Sequence, residues 1–136
     1  MRFEHFIKNG KVRRVEPDPN LAKALYQRSK DHLQFIDPLK IDKIGCVSIM
    51  TLYYESLRVL IEGFCEEEGY KVFSHEAFTA YLKEKGKEYE AEVFDRMRKI
   101  RNGINYYGEE ITPEDVIQHK KDILKVIDQL QRWKNS

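Results

Sequence analysis

Residues 42–69, DKIGCVSIMTLYYESLRVLIEGFCEEEG, decide the fold of this chain. Placed at about 100° per residue, the polar side chains of this stretch fall on one narrow arc of a helix: Ser48, Thr51, Glu55, Arg58 and Glu62. Nearly every other residue is apolar, and such a helix must be buried on more than one side. We therefore predict a long helix, capped by Asp42 and stopped at Gly69, at the centre of a bundle, and we expect part of it to meet a second chain.

Capping residues, prolines and glycines mark four further helices. These are a helix at 19–36 capped by Asp18, a short helix at 75–85 capped by Ser74, a helix at about 88–107, and a last helix opening at Thr112-Pro113. Residues 70–73 form a short extended connector, and residues 1–19 form an N-terminal segment that packs on the bundle. No strand-type alternation is sustained, so residues 20–136 are predicted to form an all-α, antiparallel, up-and-down bundle of four to five helices.

Length and composition narrow the class of protein. The chain has 136 residues, of which 41% are hydrophobic and 35% charged, as in one well-solvated domain. No apolar run approaches the ~20 residues that span a bilayer, and the charged N-terminal residues do not resemble a signal peptide. We therefore expect a cytoplasmic protein without membrane contact. The net charge is only +1, so any contact with nucleic acid must come from a local basic patch.

The sequence lacks the common signatures of cofactor and metal sites. It contains no GxxxxGK[ST], GxGxxG, HExxH or CxxC, and its four histidines lie on different segments. Cys46 and Cys65 share one predicted helix, where nineteen residues place them about 28 Å apart, beyond the reach of a disulfide. We expect no cofactor, no metal, and two free thiols that are mostly buried.

The most basic stretch is the end of the helix at 88–107, where residues 94–108 read FDRMRKIRNGINYYG. Its predicted core stripe consists of Val93, Met97, Ile100, Ile104 and Tyr107. Arg98, Arg101 and Asn105 form a second stripe, with Arg101 closest to the core. An arginine at such an edge presents a fixed fork of donors that suits phosphate or carboxylate. Two structural roles are alternatives, because the charge also complements the helix dipole or can pair with Glu55, Glu92 or Asp95.

Three parts of the sequence resemble the HEPN family of small prokaryotic helical proteins. Arg101-Asn102, late on a late helix, is similar to the family signature, in which Arg, commonly followed by a polar residue, precedes a His by a short spacer. FSHEAFTAYL, at 73–82, is similar to the Ser/Thr-His stretch that opens a short helix in many such domains, and a two-tyrosine helix precedes it. The similarity covers most of residues 20–134 and implies a helical bundle that is often dimeric.

The chain departs from the family pattern at the histidine. Tyr106, Tyr107 and Gly108 occupy the positions where it would stand. The resemblance implies metal-independent RNA cleavage, in which the 2′-hydroxyl attacks, His serves as acid or base, and Arg steadies the phosphate. Tyrosine, with a reference pKa near 10, is a poor base at neutral pH, but it can donate a hydrogen bond or stack on a nucleobase. The departure favours binding over catalysis.

The predicted site has a geometric constraint. Arg101 and Tyr106 are five residues apart and point about 140° away from each other in an ideal helix. We therefore expect them to converge only if the helix distorts near Gly103 or if two chains share the site. His75 is a candidate for the missing imidazole if it reaches Arg101, and otherwise a plain helix-start residue. The catalytic candidates are Arg101, His75 and Tyr106, and the ligand-binding candidates are Arg98, Arg101, Asn102, Asn105 and Tyr106.

Three functions follow from these observations. The first is a non-catalytic, HEPN-like nucleotide- or RNA-binding module that acts as a homodimer, with Arg101 as its anion contact. The resemblance also implies a nucleotidyltransferase as partner protein, as in toxin–antitoxin pairs. The second is a metal-independent endoribonuclease of the toxin–antitoxin type, with His75 as its imidazole. The third is a ligand-free helical dimerisation scaffold, motivated by the wide apolar face of the central helix.

Overall fold

Helices make up 73% of the structure, a computed structural model that describes residues 1–136. The six helices are α1 (Phe3–Lys8), α2 (Pro19–Ile36), α3 (Cys46–Glu68), α4 (Glu76–Glu84), α5 (Glu88–Tyr107) and α6 (Pro113–Asn135). Two short strands, β1 (Val12–Arg14) and β2 (Tyr70–Val72), pair antiparallel with Val12 opposite Val72. The broad prediction of an all-α protein is confirmed, with the addition of this two-stranded sheet.

The central position in the fold belongs to α3. It packs against α2, α4, α5, α6 and β2, and Tyr54, Leu57 and Ile61 on it are completely buried. The accessible side is the polar arc seen in the sequence, on which Ser48 is exposed and Glu55 is half-buried. The chain itself therefore covers most of the apolar circumference of α3, except at its start, where Val47 and the preceding Ile44 are 40% and 93% exposed.

The N-terminal segment holds more structure than the sequence predicts. It contains α1, which contacts α4 and β1 and buries Phe3 and Phe6 in the core. The Phe3 ring lies edge-on to Tyr70 and Tyr81, with centroid separations of 5.1 and 5.8 Å. The sequence favours an extended conformation for residues 11–17 (KVRRVEP), in agreement with β1, whereas α1 is too short to show a hydrophobic period and is missed.

Helix ends set by local backbone chemistry agree with the sequence. Gly69 and Gly108 follow α3 and α5 in the left-handed conformation, with φ of 85° and 64°, which glycine adopts without the steric cost of a Cβ. Thr112 caps α6 and forms a reciprocal capping box with Asp115. These signals lie within a few residues of the boundary they mark, so they can be recognised without knowledge of the fold.

Two predicted caps are wrong. Asp42 accepts a hydrogen bond from the Gly45 N–H at 2.7 Å and so closes a turn, and α3 begins only afterwards, at Cys46. The N-cap of α4 is His75 and not Ser74, and it makes no side-chain capping bond. Asp42 thus stabilises the approach to α3 and not its first turn, whereas Ser74 contributes only its backbone carbonyl, which accepts from the Ala77 N–H.

The last turn of α5 is more exposed than its earlier turns. Val93, Phe94 and Met97 are buried, and Ile100 and Ile104 pack partly against the core. Tyr107, predicted to continue this stripe, is 79% exposed. The hydrophobic stripe continues along α5 to Tyr107. The core covers the earlier turns of α5 but not the last turn, so this end of the helix faces solvent.

Two further observations concern the cysteines and possible membrane-spanning helices. Cys46 and Cys65 are free and buried, as the sequence predicts. None of the helices combines the length and apolar character needed to cross a membrane.

Candidate anion-binding site

The candidate site forms where α3, the start of α4 and the second half of α5 meet. α3 contributes Tyr54, α4 begins beside His75, and α5 contributes Arg101 and Tyr106. These four residues are called the Arg101 site below. Its floor is rigid, because the buried Tyr54 ring stacks on Phe94 of α5 with a centroid separation of 5.6 Å and an interplanar angle of 25°.

Arg101 has no ion-pair partner. Its Cζ lies 5.9 Å from the ring centroids of both Tyr54 and Tyr106, near the outer limit of a cation–π contact. Its Nε is buried without a hydrogen-bond acceptor, and no carboxylate oxygen lies within 4.0 Å of the guanidinium nitrogens. Pairing with acidic side chains of the same chain, one of the two structural alternatives, therefore does not occur.

The two neighbouring arginines are each paired with carboxylates. Arg58 on α3 donates to Glu55 at 2.7 Å and to Glu62 at 3.3 Å. Arg98 on α5 donates to Asp95 at 2.9 Å. The charges of all three guanidinium groups act on the pKa of His75, but only Arg101 closes no ion pair. Arg98, a predicted ligand contact, pairs with Asp95 on its own helix.

His75 is linked to the site through Tyr54. The imidazole Nδ1 lies 2.9 Å from the Tyr54 hydroxyl, so one of the two groups donates to the other. Burial, followed by the positive charge of Arg58, lowers the pKa of His75 to about 4, and Arg101 acts in the same direction. The imidazole is therefore neutral at neutral pH.

Tyr54 and the neighbouring Glu55 keep their ordinary charge at neutral pH. Burial raises the pKa of the Tyr54 phenol, although the charge of Arg58 opposes this, so the phenol keeps its proton. Burial alone would raise the pKa of Glu55, but the hydrogen bond and charge of Arg58 outweigh it and the pKa is lowered. Glu55 is thus a carboxylate that holds Arg58, and Arg101, whose charge also lowers the pKa of Glu55, closes no ion pair with it.

Arg101 and Tyr106 converge within one chain, contrary to the prediction. The helix α5 is continuous through Gly103, so neither a distortion nor a second chain is needed to bring them together. The angle of about 140° describes the directions in which the two Cβ atoms leave an ideal helix. The guanidinium of Arg101 lies several bonds beyond its Cβ, so the long side chain can still reach the Tyr106 ring. A Cβ at Gly103 would meet only the carboxylate end of the exposed Glu109 side chain, which can move aside.

The remaining predicted residues flank the site. Asn102 is half-buried and Asn105 is exposed on the last turns of α5. Sequence reasoning missed Tyr54 and Arg58 as members of this region, because it assigned the first to the apolar face and the second to the polar arc of the central helix. A signal for Arg58 was present, since it stands four residues after Tyr54 and therefore on the same side of the helix.

No protein-family model, curated protein or solved structure matches this chain. The HEPN resemblance therefore stays a prediction that rests on the residues quoted above. No group of three or more His, Cys, Asp or Glu side chains is arranged to hold a metal ion. The chemistry that the described geometry offers is that of an unpaired guanidinium beside an exposed tyrosine and a neutral imidazole.

Proposed function

We propose that this chain is an HEPN-like module that binds RNA or nucleotides without cleaving them, as a homodimer, with Arg101 as the phosphate contact. One observation carries the proposal: Arg101 is unpaired and its Nε is buried without an acceptor, whereas Arg58 and Arg98 are held by carboxylates. A buried donor left without a partner costs about 1–3 kcal/mol, which the fold itself does not relieve. A phosphate would meet the terminal Nη groups of the guanidinium, which close no ion pair and are not among the buried unpaired atoms.

The charge distribution limits the proposed contact to few phosphates. The chain has a net charge of +1, and Lys99 and Arg98 near the site both pair with Asp95. A protein that neutralises few phosphates shows a shallow dependence of affinity on salt, by about 0.7 in log–log slope for each phosphate of a single strand. We therefore expect modest affinity with a slope that corresponds to one or two phosphates per chain.

RNA titration tests the proposal directly. A labelled single-stranded RNA is titrated at several salt concentrations with wild type, Arg101→Ala and Arg132→Ala, the last as a matched control with equal loss of charge at an exposed site on α6. Arg101→Ala should weaken binding about 10- to 100-fold and remove about one phosphate from the salt slope. Arg132→Ala should leave the slope unchanged. The proposal fails if no RNA binds or if both variants behave alike.

The dimer in this proposal rests on the family resemblance and not on the apolar surface of α3. Because the chain covers most of that surface itself, the motive for a ligand-free dimerisation scaffold is weakened. Light scattering at micromolar concentration measures the mass directly. A mass of two chains supports the dimer, and a monomeric mass would leave RNA binding as a property of the single chain. Co-purification with a nucleotidyltransferase tests the implied partner protein.

The second candidate function, a metal-independent endoribonuclease, is favoured by the contact between His75 and Tyr54. In this reaction an imidazole removes the 2′-hydroxyl proton and the RNA 2′-oxygen attacks the adjacent phosphorus. The bond to the 5′-oxygen breaks, and that oxygen takes up a proton from a general acid or from water. With a pKa of about 4, the His75 imidazole is unprotonated at neutral pH but is a weak base, and only about one molecule in a thousand carries the proton that an acid needs. Both properties rank cleavage below binding.

Cleavage is tested with structured RNA incubated with the purified protein in EDTA. If His75 is the base, wild type yields 2′,3′-cyclic phosphate ends, His75→Asn yields none, and Arg101→Ala is strongly slowed. RNA that stays intact with wild type ends this candidate, whereas cleavage that survives His75→Asn assigns the activity to a different group or to a contaminant.

A further inference from the structure

We infer that the Arg101 site holds one unpaired nucleotide, with its phosphate on Arg101 and its base stacked on the ring of Tyr106. The inference rests on the proposed function and deepens it by naming the class of ligand: single-stranded nucleic acid or a free nucleotide, and not a duplex. The juxtaposition that carries it is a guanidinium without an ion-pair partner lying over a tyrosine ring that is largely open to solvent.

Tyr106 is suited to stacking because most of its surface is free. It is 69% exposed, although Arg101 Cζ lies 5.9 Å from its ring centroid. A single exposed aromatic residue needs no explanation by itself. The association with an unpaired cation distinguishes Tyr106 from the adjacent Tyr107, over which no cation lies within this range. Aromatic rings and guanidinium groups are the two platforms on which unpaired bases stack.

Tyr54 cannot serve as the stacking platform. Its side chain is completely buried and its ring is already stacked on Phe94, so no face is open to a base. It instead supports the guanidinium from the core side at 5.9 Å, and its hydroxyl is engaged with His75. The exposed partner in the contact is therefore Tyr106, and a ligand reaches the two groups from the solvent side of the last turn of α5.

A duplex fits this arrangement poorly. In a double helix each base face is covered by its neighbours and each edge is paired, so a protein ring can stack only after unstacking the helix. Proteins that bind duplexes compensate with many phosphate contacts along the backbone. Here the net charge is +1 and the arginines flanking Arg101 are held by carboxylates, so such a basic surface is lacking.

Three probes separate base stacking from phosphate contact: a short single-stranded oligonucleotide, the same strand annealed to its complement, and the same strand made of abasic ribose phosphates. The variants are Tyr106→Ala, Tyr106→Phe, Arg101→Ala and, as a matched control, Tyr107→Ala. Tyr106→Ala should weaken binding of the base-bearing strand about 5- to 100-fold and leave the abasic strand unchanged. Tyr106→Phe and Tyr107→Ala should stay close to wild type, and Arg101→Ala should weaken both strands.

The outcomes distinguish this inference from the proposed function. If Tyr106→Ala has no effect, or weakens the base-bearing and abasic strands equally, or if the duplex binds as tightly as the single strand, stacking on Tyr106 is wrong while phosphate binding stands. If no probe binds, or Arg101→Ala changes none of them, both fail. Competition by AMP and by inorganic phosphate identifies the source: AMP that binds as tightly as the strand indicates a free nucleotide, and weaker AMP indicates an RNA strand.

Discussion

Two clusters that join a cation to an aromatic ring occupy different regions of the bundle, and only one of them is closed. At the C-terminal end of α3, Glu68 accepts hydrogen bonds from Tyr81 and from Lys85, whose Nζ lies 5.5 Å from the Tyr81 ring centroid. In the Arg101 site the cation contacts aromatic rings in the same way, but no carboxylate completes the group. The polar groups of the first cluster are therefore paired with one another within the chain.

The difference between the closed and the open cluster points to different uses. A closed cluster contributes to stability, because its polar groups satisfy one another. An open cluster retains a desolvation cost that the fold does not relieve, and natural proteins keep such local violations at sites of function. This assignment of stability to the closed cluster and of function to the open cluster is wrong if the closed cluster is dispensable for folding. It is also wrong if the open cluster stabilises the fold.

The largest effect is expected at the closed cluster. Tyr81 is 1% exposed and packs edge-on to Phe3, so Tyr81→Ala should lower the free energy of unfolding by about 3–5 kcal/mol. Urea unfolding followed by circular dichroism measures the change. Tyr106→Ala serves as the control, because an exposed tyrosine should change stability by no more than about 0.5 kcal/mol. Equal unfolding midpoints for the two variants would contradict a structural role for the closed cluster.

The elements that the sequence predicts best are those with local signals. The bounds of α2 and α5 and the start of α6 follow from a cap, a proline or a left-handed glycine close by. The segment α1–β1 carries no local signal of this kind. Its position depends on contacts of Phe3 with Tyr70 of β2 and Tyr81 of α4, which are distant in the sequence. The start of α3 is misjudged because Asp42 can cap either a turn or a helix.

The candidate site is only partly predictable, because half of it depends on tertiary packing. Arg101 stands out by its position beside the core stripe, but its contact with Tyr54 requires α3 and α5 to meet. One available signal was overlooked. Arg58 and Arg98 have carboxylates three or four residues away on their own helix, whereas none of the residues at those distances from Arg101 is acidic. Local sequence therefore already separates the unpaired arginine from the paired ones.

An intermediate effect is expected from pH, through the neutral imidazole of the open cluster. The pKa of His75 falls from an ordinary 6.5 to about 4 on folding, so the unfolded chain takes up a proton more readily. The corresponding stability is complete above about pH 6.5 and is lost as the pH falls toward about 4. Since His75 is partly exposed, we expect a loss of about 1–2 kcal/mol after solvent screening.

His75→Gln isolates this contribution. Urea unfolding of wild type and variant across the same pH range should give curves that converge as the pH falls, because glutamine takes up no proton. His119, whose pKa is also lowered by burial and by the charge of Arg96, is present in both proteins and cancels in the difference. A difference between the two proteins that is constant with pH would mean that His75 titrates normally and is not enclosed by the site.

The smallest and sharpest effect is expected at the open cluster itself. Arg101→Met keeps an unbranched side chain against Tyr54 and removes a donor that is buried without an acceptor. Losing cation–π contacts at 5.9 Å costs about 0.5–1 kcal/mol, while removing the unsatisfied donor returns about 1–3 kcal/mol, so stability should be unchanged or rise by roughly 1 kcal/mol. RNA affinity should nevertheless fall.

The matched control is Arg98→Met on the same helix, which leaves Asp95 without its guanidinium and should destabilise the fold. If Arg101→Met destabilises as much as Arg98→Met, the unpaired guanidinium supports the fold after all, and the contrast between the two clusters disappears.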